Sequence, residues 1–409
     1  MATRRDKLGR VLRKGESYKK SKNLYVYAYT DALGKRRYVY SKDLITLRDK
    51  EEQIQKDRLD RLGFYCIGKA DINYVFDRYL STKKNLRETT KASYIYTYDR
   101  YVRSGFGKKY ISDIRYSDIV LFYNSMLQQG LGVNTVDNVH CLLHPTFEMA
   151  VRDNVIRNNP ANGALGEIKK NSSKSEKRHA LTYEEETAFL NFLEEDRYRR
   201  WKPIFTFMLG TGVRVSEVIG LRWCDLDFDK RLISINHRIA YYQKNESDKK
   251  CGYDVLNGAK TDAGIRTIPM LDQVYEALLE EKNNQKIYGY HCIVEVGGMK
   301  GFVFCNKYGG IHNNSTLNRE IKHIVDDYNA QEQIKAIREY REPLLIPRFS
   351  CHIMRHTFCT RLCENETNIK VIQSVMEHKD IQTTLDIYAE VSDSKKIDVF
   401  KDLNQSRVL

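Results

Sequence analysis

Three side chains that could do chemistry stand close together near the C-terminal end of the sequence. In the stretch SCHIMRHTFCTRL, His352, Arg355 and His356 follow one another at i, i+3 and i+4 among apolar residues. On a helix this spacing puts all three on one face. Because Ile353 and Met354 lie between the histidines, the metal-binding pattern H-E-x-x-H is absent, and a metal site is disfavoured. The alternative for either histidine is an ordinary packed residue.

A second cluster is typical of phosphate binding. In GTGVRVSEVIGLRW, two glycines precede Arg214, which is predicted to begin a helix containing Ser216 and Glu217. The free N–H groups and the dipole of a helix N-terminus attract an anion, and an arginine there strengthens that attraction. In GAKTDAGIRTIP, Lys260 is predicted to lie in a turn between two strands, from which a mobile ammonium group can reach into a cleft.

The last candidate residues follow the first cluster. The stretch TNIKVIQSVMEHKDIQTTLDIYAEV predicts a helix ending near Met376, then a turn carrying His378, Thr383 and Thr384, and then Tyr388. One tyrosine among 28 has no significance by itself. Its significance depends on its position relative to the other candidate residues.

All these candidates fall within residues 181–409, which are predicted to be mainly helical with a small sheet. A capping box, Thr182 with Glu185 three residues later, predicts the first helix. The stretches LISINHRIAYYQK, GYDVLNGAK and GIRTIPM are predicted to be short strands. Helices are expected again from Ser315 onward, with a break at EPLLIPRFS.

Residues 69–165 show a helical pattern, and residues 166–180 are predicted to be an exposed linker. Apolar residues recur at helical spacing from Ile72, Ser117 is placed to cap a later helix, and the last helix is expected to stop at Pro160. The segment GEIKKNSSKSEKRHA is polar, charged and without periodicity, which is typical of a linker.

Residues 1–68 are predicted to form a small basic sheet. Residues 1–42 carry thirteen Lys or Arg against three Asp or Glu. NLYVYAYTDALGKRRYVYS predicts two strands joined by a turn at residues 31–34, and GRVLRKG is a plausible third strand. A sheet with Arg36, Arg37 and Lys22 on one face could enter the major groove of DNA as a β-ribbon. Alternatively, the tyrosines are ordinary strand formers beside solvated lysines. The candidate DNA contacts are Lys22, Lys35, Arg36, Arg37 and Tyr38.

Composition limits the class of protein. The chain has 409 residues, enough for two or three domains, and its formal net charge of +14 favours a polyanionic partner such as nucleic acid. Nine cysteines without a C-x-x-C pair indicate reduced thiols, as in a cytoplasm. No apolar segment follows the charged N-terminus, so we expect neither secretion nor a membrane span.

The ordered motifs resemble those of the tyrosine recombinases, or phage-type integrases. The match consists of G-x-R-x-S-E, a Lys in a β-turn, H-x-x-R-H, a later His, TT, and a Tyr ten residues after that His. It covers about the last 230 residues of the 409. The N-terminal layout is similar to that of integrases of conjugative transposons. The implied fold is mainly α with small β-sheets (α+β), comprising an arm-site DNA-binding sheet domain, a helical core-binding domain and a mixed catalytic domain.

The resemblance implies a role for each matching residue. Tyr388 would be the nucleophile that forms a 3′-phosphotyrosine, and Arg214 and Arg355 would bind the non-bridging phosphate oxygens. Lys260 would protonate the leaving 5′-oxygen, with Lys249, Lys250 and Arg266 in the same region as alternatives. His352 would assist deprotonation of Tyr388, His378 would contact the phosphate, Glu217 would orient its neighbours, and His356 would be a buried packing residue. The family usually has Gly where Glu377 precedes His378.

The same resemblance implies a bacterial, cytoplasmic, nucleoid-associated enzyme that excises and integrates a mobile element. Its partners would be double-stranded DNA, further copies of itself in a tetramer, and possible DNA-bending or excision factors, with no cofactor, no metal and no membrane. The stretch KKIDVFKDLNQ would pack into the next subunit.

Two alternative functions can be distinguished from this one. A non-catalytic DNA-binding or architectural protein on the same fold would have no use for Tyr388, Arg214 and Arg355. A metal-dependent transposase would lose its activity in a chelator, and it would not explain the order of the motifs. No G-x-x-x-x-G-K-[ST] is present, which disfavours P-loop ATPases.

Overall fold

The protein consists of two compact units, residues 1–175 and 176–409. A computed structural model describes residues 4–30, 36–59, 70–170, 179–244, 251–257, 266–366, 368–377, 381–387 and 389. Helices predominate and the sheets are small and antiparallel, which confirms the predicted α+β fold. Among these residues, no helix has both the length and the apolar character needed to cross a bilayer.

The first unit begins with a three-stranded sheet and a helix. In chain order these are β1 (Glu16–Lys19), β2 (Leu24–Thr30), β3 (Arg36–Ser41) and α1 (Leu44–Leu59). Tyr25 and Tyr27 alternate along β2 and pack against Leu44 and Leu47 of α1 in one buried core. The three strands lie in the order β1-β2-β3.

The third strand is not where the sequence predicted it. Strands β2 and β3 are as expected, and the turn predicted between them lies outside the described residues. GRVLRKG, however, forms no regular strand: Val11 makes only an isolated bridge with Arg5, and Lys14 and Gly15 lie in a turn. Just before it, the Asp6 carboxylate holds another turn by accepting hydrogen bonds from the backbone N–H groups of Leu8 and Arg10 at 2.9 and 2.8 Å. Regular pairing therefore starts only at Glu16, opposite Tyr27.

Five α-helices follow among the described residues of the first unit. They are α2 (Ile72–Thr82), α3 (Glu88–Tyr98), α4 (Tyr116–Gln128), α5 (Val133–Arg152) and α6 (Ala164–Lys170). Their core includes Phe76 and Tyr98, whose rings stack with centroids 3.6 Å apart. Ser117 is not the cap of α4: the Asp118 carboxylate accepts from the N–H of Arg115 at 2.9 Å, so the helix starts one residue before Ser117.

Two predicted boundaries near the end of this unit are wrong. Helix α5 ends at Arg152, well before Pro160. Residues 166–170 belong to α6 and not to an exposed linker, because Ile168 is buried in the helical core. The sequence missed this short helix because its two buried residues, Ala164 and Ile168, span only about one turn and give no longer periodicity. Residues 171–178 of the predicted linker lie outside the described residues.

In the second unit, helices, short strands and further helices follow one another in the order that the sequence predicted. Its helices are α7 (Tyr183–Phe192), α8 (Lys202–Thr211), α9 (Val215–Gly220), α10 (Asp272–Tyr288), α11 (Asn314–Arg338), α12 (Cys351–Asn365) and α13 (Ile369–Met376). Its strands are β4 (Leu226–Asp227), β5 (Leu232–Ile235), β6 (His237–Gln243), β7 (Cys251–Asn257) and β8 (Arg266–Pro269). The strands form two sheets, β4-β5-β8 and β6-β7.

The core of the second unit fixes the helices that carry the candidate residues. Helix α8 is buried along its length, and Met354 of α12 lies in the same core as Phe205 and Phe207. Helix α7 begins with the predicted capping box, in which Thr182 and Glu185 exchange hydrogen bonds. Helices α8 and α12 are therefore rigid supports for the residues that follow or lie on them.

Candidate active site

Arg355 lies on α12 with its side chain directed into the protein. It is 5% exposed, and its Nη1 donates to the carbonyl of Gly212 at 2.8 Å, while Nη2 donates to the carbonyl of Met376. Burial, and then the positive charge of Arg214, lower the pKa of Arg355 to about 10. Burying the charged Arg355 guanidinium without a counter-ion costs free energy. An additional anion bound beside it offsets that cost.

Arg214 occupies the N-cap of α9, two residues after Gly212, the glycine that caps the end of α8. Gly212 has a φ of +61°, and a Cβ there would lie 2.3 Å from the Phe358 ring, so the turn requires glycine. The Arg214 side chain is 32% exposed and donates through Nη1 to Glu217 at 3.0 Å. Burial lowers the pKa of Arg214, but the carboxylates of Glu217 and Glu377 outweigh this effect and raise it.

Glu217 connects Arg214 to a further arginine, Arg266 on β8. Arg266 Nη2 donates to Glu217 Oε2 at 2.7 Å, and both side chains are buried. Burial would raise the pKa of Glu217, but Arg266 and Arg214 lower it to about 2. Glu217 is therefore an ionised bridge between two guanidinium groups.

The three arginines meet at the C-terminal end of α13. Arg266 Nε donates to the carbonyl of Val375 at 3.0 Å, Arg355 donates to that of Met376, and Arg214 Nη2 donates to that of Glu377 at 2.7 Å. The last carbonyls of a helix lack partners within the helix and carry its negative dipole end, so cations stabilise them. Three guanidinium groups from separate elements are thus held side by side, immediately before His378.

The two histidines of α12 differ in exposure. His352 is exposed in the first turn of the helix, and His356 is half-buried with its Nδ1 3.4 Å from Thr360 Oγ1. His356 is thus less enclosed than a buried packing residue would be. The exposed position of His352 suits a group that meets a substrate.

Lys260, His378 and Tyr388 lie outside the described residues, and so does Lys35. Lys260 falls within residues 258–265, between β7 and β8 in the chain. These two strands do not pair with each other: β7 pairs with β6, and β8 pairs with β5.

Thr383 and Thr384, which were predicted to lie in a turn, lie in a helical segment at residues 381–387. Thr384 is fully buried, and Ile387 packs against a small core that contains Cys359 and Met376. The residue before Tyr388 is therefore anchored on α12 and α13 of the same chain.

The described part of the predicted DNA-binding sheet needs one correction. Arg36, Arg37 and Tyr38 on β3 are exposed, as is Lys22. Adjacent strand residues point to opposite faces, so Arg36 and Arg37 cannot share one face. Arg37 lies on the face of Val39, which packs against the core, and Arg36 lies with Tyr38 and Tyr40, which are 51% and 48% exposed.

Two residues of the arginine cluster were not identified as site residues from sequence. Glu377 was noted only as a departure from the usual Gly, and Arg266 only as an alternative to Lys260. Both join the cluster through contacts distant in sequence, since Arg266 Nη1 donates to Glu377 Oε2 at 3.0 Å. The sequence signals were a charge at Glu377, where a turn was expected, and a charge at Arg266, within a predicted strand.

Sequence comparison places the chain in a family. The model of the phage integrase family matches residues 179–395, that of the DNA-binding domain of Tn916 integrase matches residues 1–58, and that of the phage integrase N-terminal SAM-like domain matches residues 72–127. The transposase from transposon Tn916 of Enterococcus faecalis is 29% identical over 425 residues, which cover 99% of this chain and 97% of that protein.

Solved structures agree in fold. The Tn1549 transposon integrase in complex with a circular intermediate DNA is 26% identical, with a TM-score of 0.68, over 80% of this chain and 99% of that chain. A lambda integrase dimer bound to a COC′ core site has a TM-score of 0.51 at 14% identity, over 78% of this chain and 95% of that one, which shows a shared fold alone.

The fold and the arginine cluster define an enzyme of DNA strand cleavage and rejoining. The chain belongs to the phage integrase family, the tyrosine recombinases. Within that family it is of the conjugative-transposon type, and its function is the excision and integration of a mobile element. The resemblance found in the sequence motifs is thereby confirmed.

Proposed function

We propose that Tyr388 cleaves one DNA strand at each element end by direct attack on the scissile phosphodiester. The phenolic oxygen bonds to phosphorus, the bond from phosphorus to the 5′-oxygen breaks, and a 3′-phosphotyrosine and a 5′-hydroxyl remain. Because the covalent link conserves the energy of the broken bond, rejoining requires no ATP or other cofactor. Attack by a 5′-hydroxyl from another strand reverses the step and completes the exchange.

The observation that carries this proposal is the convergence of Arg214 and Arg355 on consecutive carbonyls, those of Glu377 and Met376. A phosphodiester gathers negative charge on its non-bridging oxygens as the tyrosine attacks. Two planar guanidinium groups fixed in advance stabilise that charge, and each can bind two oxygens. We assign this role to Arg214 and Arg355.

The remaining roles concern protons. Lys260 protonates the departing 5′-oxygen, which is a poor leaving group as an alkoxide, and Arg266 is already engaged with Glu217 and Val375, which supports Lys260 over Arg266. His352 takes the proton of Tyr388, whose ordinary pKa is about 10. We assign His378 to a contact with the phosphate, because it follows the carbonyls that hold the arginines.

We further propose a separate task for each region. Residues 1–68 bind arm sites through the exposed face of the sheet, residues 69–170 bind the core site, and residues 181–409 carry the chemistry. The Tn1549 integrase has been solved with transposon right end DNA, and lambda integrase as a tetramer on a Holliday junction. By analogy we expect this chain to act as a tetramer on two duplexes, in the cytoplasm and nucleoid of a bacterium, with accessory DNA-bending or excision factors.

The test is a covalent-trapping assay in EDTA. A duplex carrying a candidate element end, with a nick placed so that the cleaved fragment diffuses away, is mixed with wild-type protein or Tyr388→Phe and analysed on a denaturing protein gel. We expect a protein–DNA band with wild type alone. Duplex binding by wild type without any covalent band would contradict the role of Tyr388 and favour an architectural DNA-binding protein.

A further inference from the structure

Glu377 brings a second carboxylate to the arginine cluster. It ends α13 in a left-handed conformation, with a φ of +50°. From there its Oε2 accepts hydrogen bonds from Arg266 Nη1 at 3.0 Å and from Arg214 Nη1. A residue with a Cβ adopts this backbone conformation at a cost in free energy. The two hydrogen bonds to the arginines offset part of that cost.

The contacts of Glu377 use the donors that a phosphate would need. Arg214 Nη1 has two hydrogens, one directed to Glu217 and the other to Glu377. Its Nη2 already donates to the carbonyl of Glu377 at 2.7 Å. A phosphate that binds Arg214 through its Nη1 edge must therefore displace a carboxylate. Glu217 is buried and ionised between two arginines, whereas the Glu377 side chain is 22% exposed and is the easier of the two to displace.

The charge balance of the cluster also favours displacement of the Glu377 carboxylate by a phosphate. In the described part of the cluster, Arg214, Arg266 and Arg355 face the carboxylates of Glu217 and Glu377, which leaves one net positive charge. Without the Glu377 carboxylate two positive charges would remain. A half-buried site with this excess charge attracts a phosphodiester more strongly.

We propose that Glu377 is an internal competitor of the scissile phosphate, which neutralises Arg214 until DNA displaces its carboxylate. The displaced carboxylate can turn toward solvent, while the backbone contacts of all three arginines stay in place. Glu377 then sets the affinity of the active site for the phosphate itself, independently of how tightly the rest of the protein holds DNA. This inference rests on the proposed role of Arg214.

The competition is tested by a thermodynamic cycle in which the charge of Glu377 and the charge of the scissile phosphate are removed separately and together. Binding is measured in the Tyr388→Phe protein, which cannot form the covalent link, with and without Glu377→Gln. Two duplexes are compared, one with an ordinary scissile phosphate and one with a neutral methylphosphonate at that position. We expect Glu377→Gln to strengthen binding of the ordinary duplex about fivefold more than binding of the neutral one.

Glu364→Gln is the matched control, because it removes one carboxylate from α12 that pairs with Arg361 at 3.2 Å, away from the cluster. It should affect both duplexes equally. A second variant, Glu377→Gly, removes the carboxylate and suits the positive φ, so it separates loss of competition from misfolding. Equal effects of both Glu377 variants on the two duplexes would overturn the proposal, as would weaker binding of the ordinary duplex.

Covalent trapping with otherwise wild-type protein separates this inference from the proposed function. If Glu377→Gln shows no selective gain while Tyr388 still forms a band that Arg214→Ala abolishes, the competition is wrong and the catalytic roles stand. If no band forms with DNA that wild type binds, the proposed function itself is wrong, and the inference falls with it.

Discussion

Glu281 is a carboxylic acid buried on α10, away from the arginine cluster. It is 3% exposed, and its Oε1 accepts a hydrogen bond from Gln285 Nε2 at 2.8 Å. Burial raises its pKa from 4.5 to about 7, although the hydrogen bonds from Gln285 and Tyr290 oppose this shift. The folded protein therefore holds a proton at Glu281 that the unfolded chain would lose at a lower pH.

This shift predicts a pH-dependent effect of Glu281→Gln. Because the folded-state pKa lies above the unfolded one, stability falls as pH rises from about 4.5 to about 7. The uncharged amide avoids that loss, so the variant should be more stable than wild type by roughly 1–3 kcal/mol at pH 8, with little advantage at pH 4. Urea unfolding at the two pH values measures the difference.

The control for this prediction is Glu276→Gln, which removes an exposed carboxylate from the same helix. It should leave the pH dependence of the unfolding midpoint as in wild type. An advantage of Glu281→Gln that is equal at both pH values would mean that packing, and not ionisation, explains the effect.

At the scale of elements, the join between α8 and α9 connects packing to the site. Gly212 ends α8 in a left-handed conformation, its missing Cβ leaves room for Phe358 of α12, and its carbonyl accepts from Arg355 at 2.8 Å. One residue thus sets the spacing of two helices and the position of one guanidinium group.

Gly212→Ala should therefore destabilise the protein by more than the cost of placing an alanine in a left-handed conformation. Gly289 provides the comparison, since it ends α10 with a φ of +67° but has no atom within 4 Å of a Cβ. We expect Gly289→Ala to cost about 1 kcal/mol and Gly212→Ala at least about 2 kcal/mol, measured by thermal unfolding. Gly212→Ala should also slow covalent trapping. Equal losses in both variants would contradict the close contact with Phe358.

The sequence predicted most elements of the second unit because their signals are local. The capping box at Thr182, the i, i+3, i+4 spacing on α12 and the end of α13 at Met376 each depend on a few neighbouring residues. The arginine cluster was only partly predictable, since the contacts of Arg266 with Glu217 and Glu377 join three distant elements. Likewise, strand alternation separates Arg36 from Arg37, which net charge alone cannot show.

At the scale of the whole molecule, the N-terminal sheet has its own core of Tyr25, Tyr27, Leu44 and Leu47. Deleting residues 1–59 should weaken binding to arm-site DNA and reduce its salt dependence, by about 0.9 in the log–log slope for each phosphate that the protein no longer neutralises. Covalent trapping on a core-site duplex that is already bound should stay largely unchanged. Filter binding across a salt series and single-turnover trapping measure the two effects.

Single substitutions refine this experiment. Arg36→Ala removes one positive charge from the face that carries Tyr38 and Tyr40, whereas Arg319→Ala removes an exposed charge from α11 in the second unit. Only Arg36→Ala should lower the salt slope for arm-site DNA. Loss of single-turnover cleavage at a preloaded core site after the deletion would refute the assignment of separate tasks.

The carbonyls of Val375, Met376 and Glu377 have a consequence for evolution. Every residue type has a backbone carbonyl, so substitutions at these positions that preserve the local backbone leave the three arginines in place. Of these three residues, only Glu377 brings a carboxylate to the cluster. A single nucleotide change converts a Glu codon to a Gly codon and so removes that carboxylate. Recombination activity can thus be retuned in one mutational step without rebuilding the catalytic apparatus.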